Sequence, residues 1–430
     1  MKPTSENEEA KRDNGYSIDF SSAWRNGRKL PLDERIKLFH VYLQNQEEAD
    51  KHLYMRVIDS STDRTVIAVD TDGNKKEMLM FGSNNYLGLA NHPYIKETVK
   101  KAIKKYGVGI AGPPLLNGYS SLMKELENRL SQLKGTEDTM IFTSGYNANL
   151  GLLYGLCTPH DLLLADEYNH ASFFDGVKLL RGKCITFGHN NIGQLEDLLK
   201  THKPDGDLFV AVEGVYSMDG DLSPLDQIIP LAQQYNAHTI IDDAHGTGVL
   251  GFNGEGIMEE LRIKWTNEII MGTFSKAFAV NGGFISGSRE VIEFLRFMAR
   301  TYMFSASLPP VTIAAVLAGI DVIENEPWRR VQLKKNVSFL TRKLKPFGIR
   351  TPPQAGIISL NVPKEAYIRK MANDFNREGI FLNAIEFPAV PADKQRFRIS
   401  ISANHTNDDL KKLVDTVELI WYKHNIVCND

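Results

Sequence analysis

Seven short apolar runs, spaced by segments of helical pattern, limit what this chain can fold into more than any other feature. They are MIFTS, DLLLADE, CITFGH, LFVAVEGVY, HTIIDDAH, EIIMGTF and GGFISGS, beginning at about residue 139. Each run is apolar at consecutive positions, without the alternation of a strand that has one wet face. Such strands are buried on both sides, and strands alternating with helices build a mostly parallel sheet covered by helices. The expected fold class is α/β, with a large mostly parallel sheet domain. Ligands of such sheets bind beyond the carboxyl ends of the strands. The polar residues that close these runs are therefore the first candidates for chemistry.

The flanks follow other periods. Residues 32–49, LDERIKLFHVYLQNQEEA, repeat apolar positions three and four apart, as in a helix that packs a face or brushes a membrane. RTVIAV and EMLMF flank DTDGN, whose Asp-Gly pair marks a hairpin turn, and residues 93–133 are helix-rich. After Pro309 and Pro310 a long helical region leads away from the sheet, and strands near GIISLNV and RFRISIS suggest a small C-terminal α+β domain. The expected division is a disordered tail over 1–20, an N-terminal helix and hairpin over 21–90, the large domain over 91–325 and the small one over 326–430.

Composition removes several classes of function. With 50 Lys and Arg against 53 Asp and Glu, the net charge of −3 gives no basic face for nucleic acid or an anionic membrane. No run of 18 apolar residues provides a transmembrane segment. The opening MKPTSENEEAKRDNGY has no apolar signal-peptide core. Cys157, Cys184 and Cys428 are dispersed in no CxxC or Cys/His metal spacing. A cytoplasmic protein with free thiols and no metal is expected.

The strand ends carry the chemistry. In MGTFSKAFAVNGG, Lys276 follows an apolar strand in a loop of small residues. Alone it reads as a solvated loop lysine; beside a carbonyl cofactor it becomes an imine-forming amine. Asp242 closes TIID, where a carboxylate needs a cationic partner. A protonated pyridine nitrogen would serve, keeping the ring an electron sink. His245 could reach the phenolic oxygen of the same ring; a capping Asp and a core His are the plainer alternative for this segment by itself. His170, in DEYNHAS, suits stacking on the ring. Ser144, Gly145 and Tyr146 lie at a strand-to-helix junction, where unpaired N–H groups and the helix dipole favour a phosphate. Thr273, Ser275 and Ser217 could add hydroxyl donors. An imine lysine, a ring-nitrogen carboxylate, a stacking imidazole and a phosphate nest together specify pyridoxal 5'-phosphate (PLP).

These motifs resemble the α-oxoamine synthases among the fold-type I PLP-dependent transferases. The resemblance runs from about residue 78 to 420 through FGSNNYLGLANHP, FTSGYNANLG, DEYNHAS, VEGVYSMDGDLSPL, IDDAHGTGVLG, GTFSKAFAVNGG, MFSASLPP and FRISISANHT. It implies a homodimer with a shared active site, Ser305 reaching the neighbour's cofactor phosphate. It also implies that Asn84 and Arg398 hold the amino-acid carboxylate; a guanidinium fork suits that task. The likeness is to bacterial serine palmitoyltransferases, including relatives that use cysteate. This implies decarboxylative condensation of an amino acid with a fatty acyl thioester, feeding sphingolipids or sulfonolipids. The 8-amino-7-oxononanoate synthase and 2-amino-3-ketobutyrate ligase activities of the family, an aminotransferase and a non-catalytic subunit are the competing readings. One region departs: Pro113 and Pro114, in AGPPLLNGYSSLMKELE, replace the family's Ser-Arg, and Met123 stands where it has a histidine. Losing that cation leaves acyl-CoA and acyl-carrier protein both open as donors.

Overall fold

A computed structural model describes residues 29–48, 54–70, 72–180, 182–349, 351–364, 366–386 and 389–427. The expected tail over 1–20, the start of the next segment and Cys428 lie outside these residues.

The strands are β1 (Val57–Ile58), β2 (Thr65–Val69), β3 (Lys75–Met80), β4 (Asp138–Phe142), β5 (Leu162–Asp166), β6 (Lys183–Phe187), β7 (Leu208–Glu213) and β8 (His238–Asp242). They continue as β9 (Ile269–Thr273), β10 (Gly283–Gly287), β11 (Ile357–Asn361), β12 (Ile380–Phe381), β13 (Asn383–Ile385) and β14 (Arg396–Ser400). The seven apolar runs form one seven-stranded sheet in the order β4-β10-β9-β8-β7-β5-β6. Only β10 runs against its neighbours, pairing antiparallel with both β4 and β9. The fold is thus the expected mostly parallel α/β sheet.

Burial on both faces explains the continuous apolar runs. Along β5, Leu163 and Ala165 enter one core with Phe142, Phe209 and Ile313, whereas Leu162 and Leu164 enter a second core with Leu195 and Ile228. Helices Ser121–Lys134, Gly145–Leu156 and Pro310–Asn325 supply buried residues to the first core. Helices Ile192–Thr201 and Leu225–Gln234 supply the second. Successive strand residues point to opposite faces, so apolar side chains serve both faces, and the buried polar residues inside these strands, Thr139, Thr239 and Ser286, are small and uncharged.

The two reversals at β10 shape the site. A crossover helix is needed between parallel strands but not between antiparallel ones, so β9 passes to β10 through a short loop. That loop folds on itself: Phe274 N–H donates to the Gly282 carbonyl at 2.9 Å and Val280 N–H to that of Phe274 at 3.0 Å. Lys276 is inside it.

The expected hairpin is present as β2 and β3, which pair antiparallel. It joins a four-stranded sheet in the order β1-β2-β3-β12, where β12 comes from the C-terminal part of the chain and runs parallel to β3. The expected C-terminal strands β11 and β14 pair antiparallel, with β13 on the far side of β14. Helix Leu32–Glu48 forms as its period predicts. No helix among the described residues is long and apolar enough to cross a membrane.

Candidate active site

Seven of the residues singled out in the sequence, Ser144, His170, Ser217, Asp242, His245, Thr273 and Lys276, lie at or just beyond the carboxyl ends of β4, β5, β7, β8 and β9. Burial places Lys276 in a medium hostile to an ammonium ion and lowers its pKa; Asp242 and Glu213 oppose that shift by their negative charge, and Arg398 adds to it. A lowered lysine pKa is what an amine needs to act as nucleophile or base near neutrality.

Asp242 is held on both oxygens. Asn149 donates through Nδ2 to Oδ2 at 3.0 Å, and the Ala244 N–H donates to Oδ1 at 3.1 Å. The same Asn149 amide reaches Ser172 Oγ at 2.9 Å, which meets His170 Nδ1 at 2.8 Å. One buried amide therefore connects the carboxylate to the imidazole. His170 itself is open to the cleft, although surrounding protein lowers its pKa, with Asp242 opposing.

His245 is buried, with Nδ1 2.8 Å from the Tyr86 hydroxyl. Burial and the charges of Lys276 and Arg398 hold its pKa well below the ordinary histidine value. Neutral imidazole has one donor and one acceptor nitrogen, so Nδ1 is committed and Nε2 remains for a ligand. Tyr86 also reaches Asn84 Oδ1 at 3.2 Å, and burial pushes its phenol up to about 12.

Arg398 arrives from the C-terminal sheet. Its Nε donates to the Ser217 carbonyl at 2.6 Å, and its Nη1 to Asn84 Oδ1 at 2.9 Å and Ser400 Oγ at 3.1 Å. Asn84 and Arg398, more than three hundred residues apart in sequence, are thus in direct contact. A guanidinium oriented by neutral oxygens retains its charge for a carboxylate.

A helix start with unpaired N–H groups follows β4. Ser144 caps helix Gly145–Leu156, its hydroxyl accepting from Asn147 N–H at 3.0 Å. The first N–H groups of a helix have no partner inside it, and those of Gly145 and Tyr146 occupy its positive end. A Cβ on Gly145 would come within 2.9 Å of Thr273 Cβ, so only glycine lets the helix start approach β9. Thr273 Oγ1 donates to the Gly282 carbonyl at 2.9 Å and lies 3.2 Å from Ser275 Oγ. The Tyr146 side chain turns outward onto Asp175, leaving its backbone as the useful part.

Ser305 is not brought into this cluster within one chain. It lines an apolar cavity of about 460 Å³ with Ala111, Gly112, Pro113, Leu116 and Phe304. Sequence reasoning missed Glu213, Tyr86 and Asn149. Glu213 had a readable signal, since it closes a fully apolar strand as Asp242 does. Tyr86 and Asn149 sit inside quoted motifs, but which oxygen each serves depends on segments distant in sequence.

This donor set fits PLP. It combines an amine, a carboxylate held on both oxygens, an imidazole and a helix start whose glycine, Gly145, leaves no room for a Cβ against Thr273.

Comparison with known proteins agrees. The model of the family "Aminotransferase class I and II" matches residues 76–417. A serine palmitoyltransferase of Bacteriovorax stolpii is 36% identical, the alignment covering 94% of this chain and 95% of that one. An 8-amino-7-oxononanoate synthase of Lysinibacillus sphaericus is also 36% identical, over 90% of this chain and 99% of its own. Among solved structures, a Sphingomonas wittichii serine palmitoyltransferase superposes with a TM-score of 0.84 at 28% identity, covering 90% of this chain and 98% of that one. A serine palmitoyltransferase of S. paucimobilis with bound PLP-myriocin aldimine gives 0.87 at 27% identity, covering 93% and 100%. The chain belongs to the aminotransferase class I and II family and, within it, to the α-oxoamine synthases.

Proposed function

We propose that this enzyme uses PLP to condense serine or cysteate with a long-chain fatty acyl thioester, losing carbon dioxide and releasing a 3-keto amine for sphingolipid or sulfonolipid synthesis. The observation that carries the reading is the meeting of Arg398 and Asn84 with Lys276 and Asp242 at one end of the sheet. It puts an oriented cation for an α-carboxylate beside an amine that can take the α-proton.

Lys276 would hold the cofactor, and Asp242 would face its ring nitrogen. His170 would cover the ring, with His245 at the phenolic oxygen. Ser144, Gly145, Tyr146, Thr273 and Ser275 would hold the phosphate, with Ser217 as a further donor. PLP, when bound, supplies an electron sink for the pair left at Cα. Arg398 and Asn84 grip the substrate carboxylate until it departs. Lys276 Nζ takes the Cα proton and later returns one to the same carbon, a double task suited to an amine of lowered pKa.

The apolar cavity beside Pro113 and Phe304 supports a long acyl chain as the second substrate, since the residues lining it carry no charge. Ser305 belongs to that rim, and its service to a partner's phosphate in a shared-site homodimer is part of the same proposal. A cytoplasmic location accompanies it. The thiol carrier is either coenzyme A or acyl-carrier protein, because the Ser-Arg pair of the family is Pro113-Pro114 here.

A screen of serine, cysteate, glycine and alanine by absorbance, followed by thiol release from long-chain acyl-CoA and acyl-carrier protein, tests the proposal. Serine or cysteate should perturb the spectrum and support thiol release. Preference for alanine with a pimeloyl thioester would instead favour the 8-amino-7-oxononanoate synthase reading, which the relatives also support.

A further inference from the structure

The side-chain amide of Asn149 has two N–H bonds, and both are committed. One goes to Asp242 Oδ2 at 3.0 Å and the other to Ser172 Oγ at 2.9 Å. A carboxylate has only acceptors, so the amide must turn its nitrogen to Asp242, and the same nitrogen serves Ser172. Asn149 and Ser172 are each 1% exposed, so the contact between them is closed to solvent.

A direction runs outward from this amide. Ser172 Oγ accepts from Asn149, and its own hydrogen points the other way, to His170 Nδ1 at 2.8 Å. The Ser172 backbone N–H donates to the same Nδ1 at 3.3 Å. A ring nitrogen that accepts from an N–H carries a lone pair, so Nδ1 is unprotonated and the serine hydroxyl is its second donor. Neutral imidazole keeps one N–H, and the bonds made by one ring nitrogen decide which of the two holds it. Here it is Nε2. The neutral form is the one that matters, because burial lowers the His170 pKa, with Asp242 opposing and Lys276 adding to the shift.

We propose that Asn149, acting through Ser172, fixes His170 in the neutral tautomer with its proton on Nε2, so that the imidazole meets the cleft as a hydrogen-bond donor. Asn149 and Ser172 are positioning residues, each acting through a group that can touch a ligand. The same amide orients Asp242, whose other oxygen accepts from the Ala244 N–H. One side chain thus orders an acceptor, Asp242, and a donor, His170. Their use on the cofactor ring rests on the assignments proposed above; the tautomer itself does not. Exchanging one atom reverses the network. In N149D an oxygen replaces the amide nitrogen, and two carboxyl groups this close share one proton. With that proton between the introduced acid and Asp242, the new oxygen can only accept from Ser172. The serine hydroxyl turns to it, and His170 reaches Ser172 Oγ only as a donor, with its proton on Nδ1.

The test is nitrogen NMR of the full chain labelled at its histidine ring nitrogens, recorded with and without PLP. The His170 signals are identified by their loss in H170Q. In wild type Nδ1 should resonate as an unprotonated, hydrogen-bonded nitrogen and Nε2 as an N–H. N149D should exchange the two. N149D/S172A, in which the relay is cut while the backbone N–H at position 172 remains, should restore the wild-type order. S172A alone should keep that order and shift the Nδ1 signal, which loses its hydroxyl donor; this arm decides the matter if N149D does not fold. A proton on Nδ1 in wild type would overturn the proposal, as would an unexchanged pair in N149D, an exchange that survives in N149D/S172A, or an Nδ1 signal unmoved in S172A. Absence of the cofactor's absorbance band from wild type with PLP added would count against PLP, a failure readable apart from the cofactor-free spectra.

Discussion

In the proposed reaction Lys276 and Arg398 divide the amino-acid chemistry between them, and the loss of each has its own signature. Replacing Lys276 by alanine should abolish the cofactor's lysine-linked absorbance band in the purified protein; a K276A enzyme with the wild-type spectrum would contradict its assignment. Removing the Arg398 guanidinium by alanine takes away a charged carboxylate contact worth about 1.5–3 kcal/mol, so half-saturation by the amino acid should rise about 10- to 100-fold. The cofactor band of R398A should persist, because its hydrogen bonds go to the Ser217 backbone carbonyl, Asn84 and Ser400 rather than to Lys276 or the helix start at Ser144. An unchanged half-saturation would remove Arg398 from substrate binding. At this scale the sequence reveals what ends a strand. Asp242 and Lys276 stand out because polar residues interrupt apolar runs. The Tyr86 hydroxyl does not, because its partner His245 lies 159 positions away.

The elements hold these groups through buried contacts that the strand pattern conceals. Lys134, at the end of helix Ser121–Lys134, donates to Asp243 Oδ2 at 2.7 Å, with both side chains buried. Asp243 also accepts from Thr247 Oγ1 at 3.2 Å and from the Ile257 N–H. This fixes the turn that follows β8 and carries His245. Burial raises the pKa of Asp243, Lys134 opposing, so losing the lysine leaves a stranded acid. K134M should therefore lose about 3–5 kcal/mol in denaturant unfolding, with part recovered in the K134M/D243N double variant. Equal stability of K134M and wild type would show that the pair holds nothing. The seven strands were legible because both sheet faces are apolar, and the Asp-Gly hairpin because its turn residues are local. The joining of β3 to β12 was not, because two residues of strand carry no period and their partner lies three hundred residues away.

Across the whole molecule, the segment after β7 ties the seven-stranded sheet to the C-terminal sheet of β11, β14 and β13. Asp219 pairs with Arg396, the Gly220 carbonyl accepts from Gln354 and Ala355 N–H, and Ser217 receives Arg398. Beside it, His189 bridges Asp166 at 3.2 Å and Asp221 at 2.8 Å. Burial by itself would lower the pKa of His189; the hydrogen bonds it donates to the two carboxylates outweigh it and raise the value to about 9. A raised folded-state pKa stabilises below the unfolded value of about 6.5 and is lost as pH climbs through the folded one. Thermal stability should therefore fall between about pH 6.5 and 9, by roughly 1–2 kcal/mol after solvent screening. H189Q should flatten this decline, and an equally steep decline in H189Q would assign it to other groups.

The condensation itself is tested most directly by carbon balance. With serine or cysteate labelled at the carboxyl carbon and a long-chain acyl thioester, labelled carbon dioxide should appear in equimolar amount with free thiol, and the organic product should be an unlabelled 3-keto amine. Thiol release with the label retained in the product, or amino transfer to a keto acid without thiol release, would contradict the proposed function.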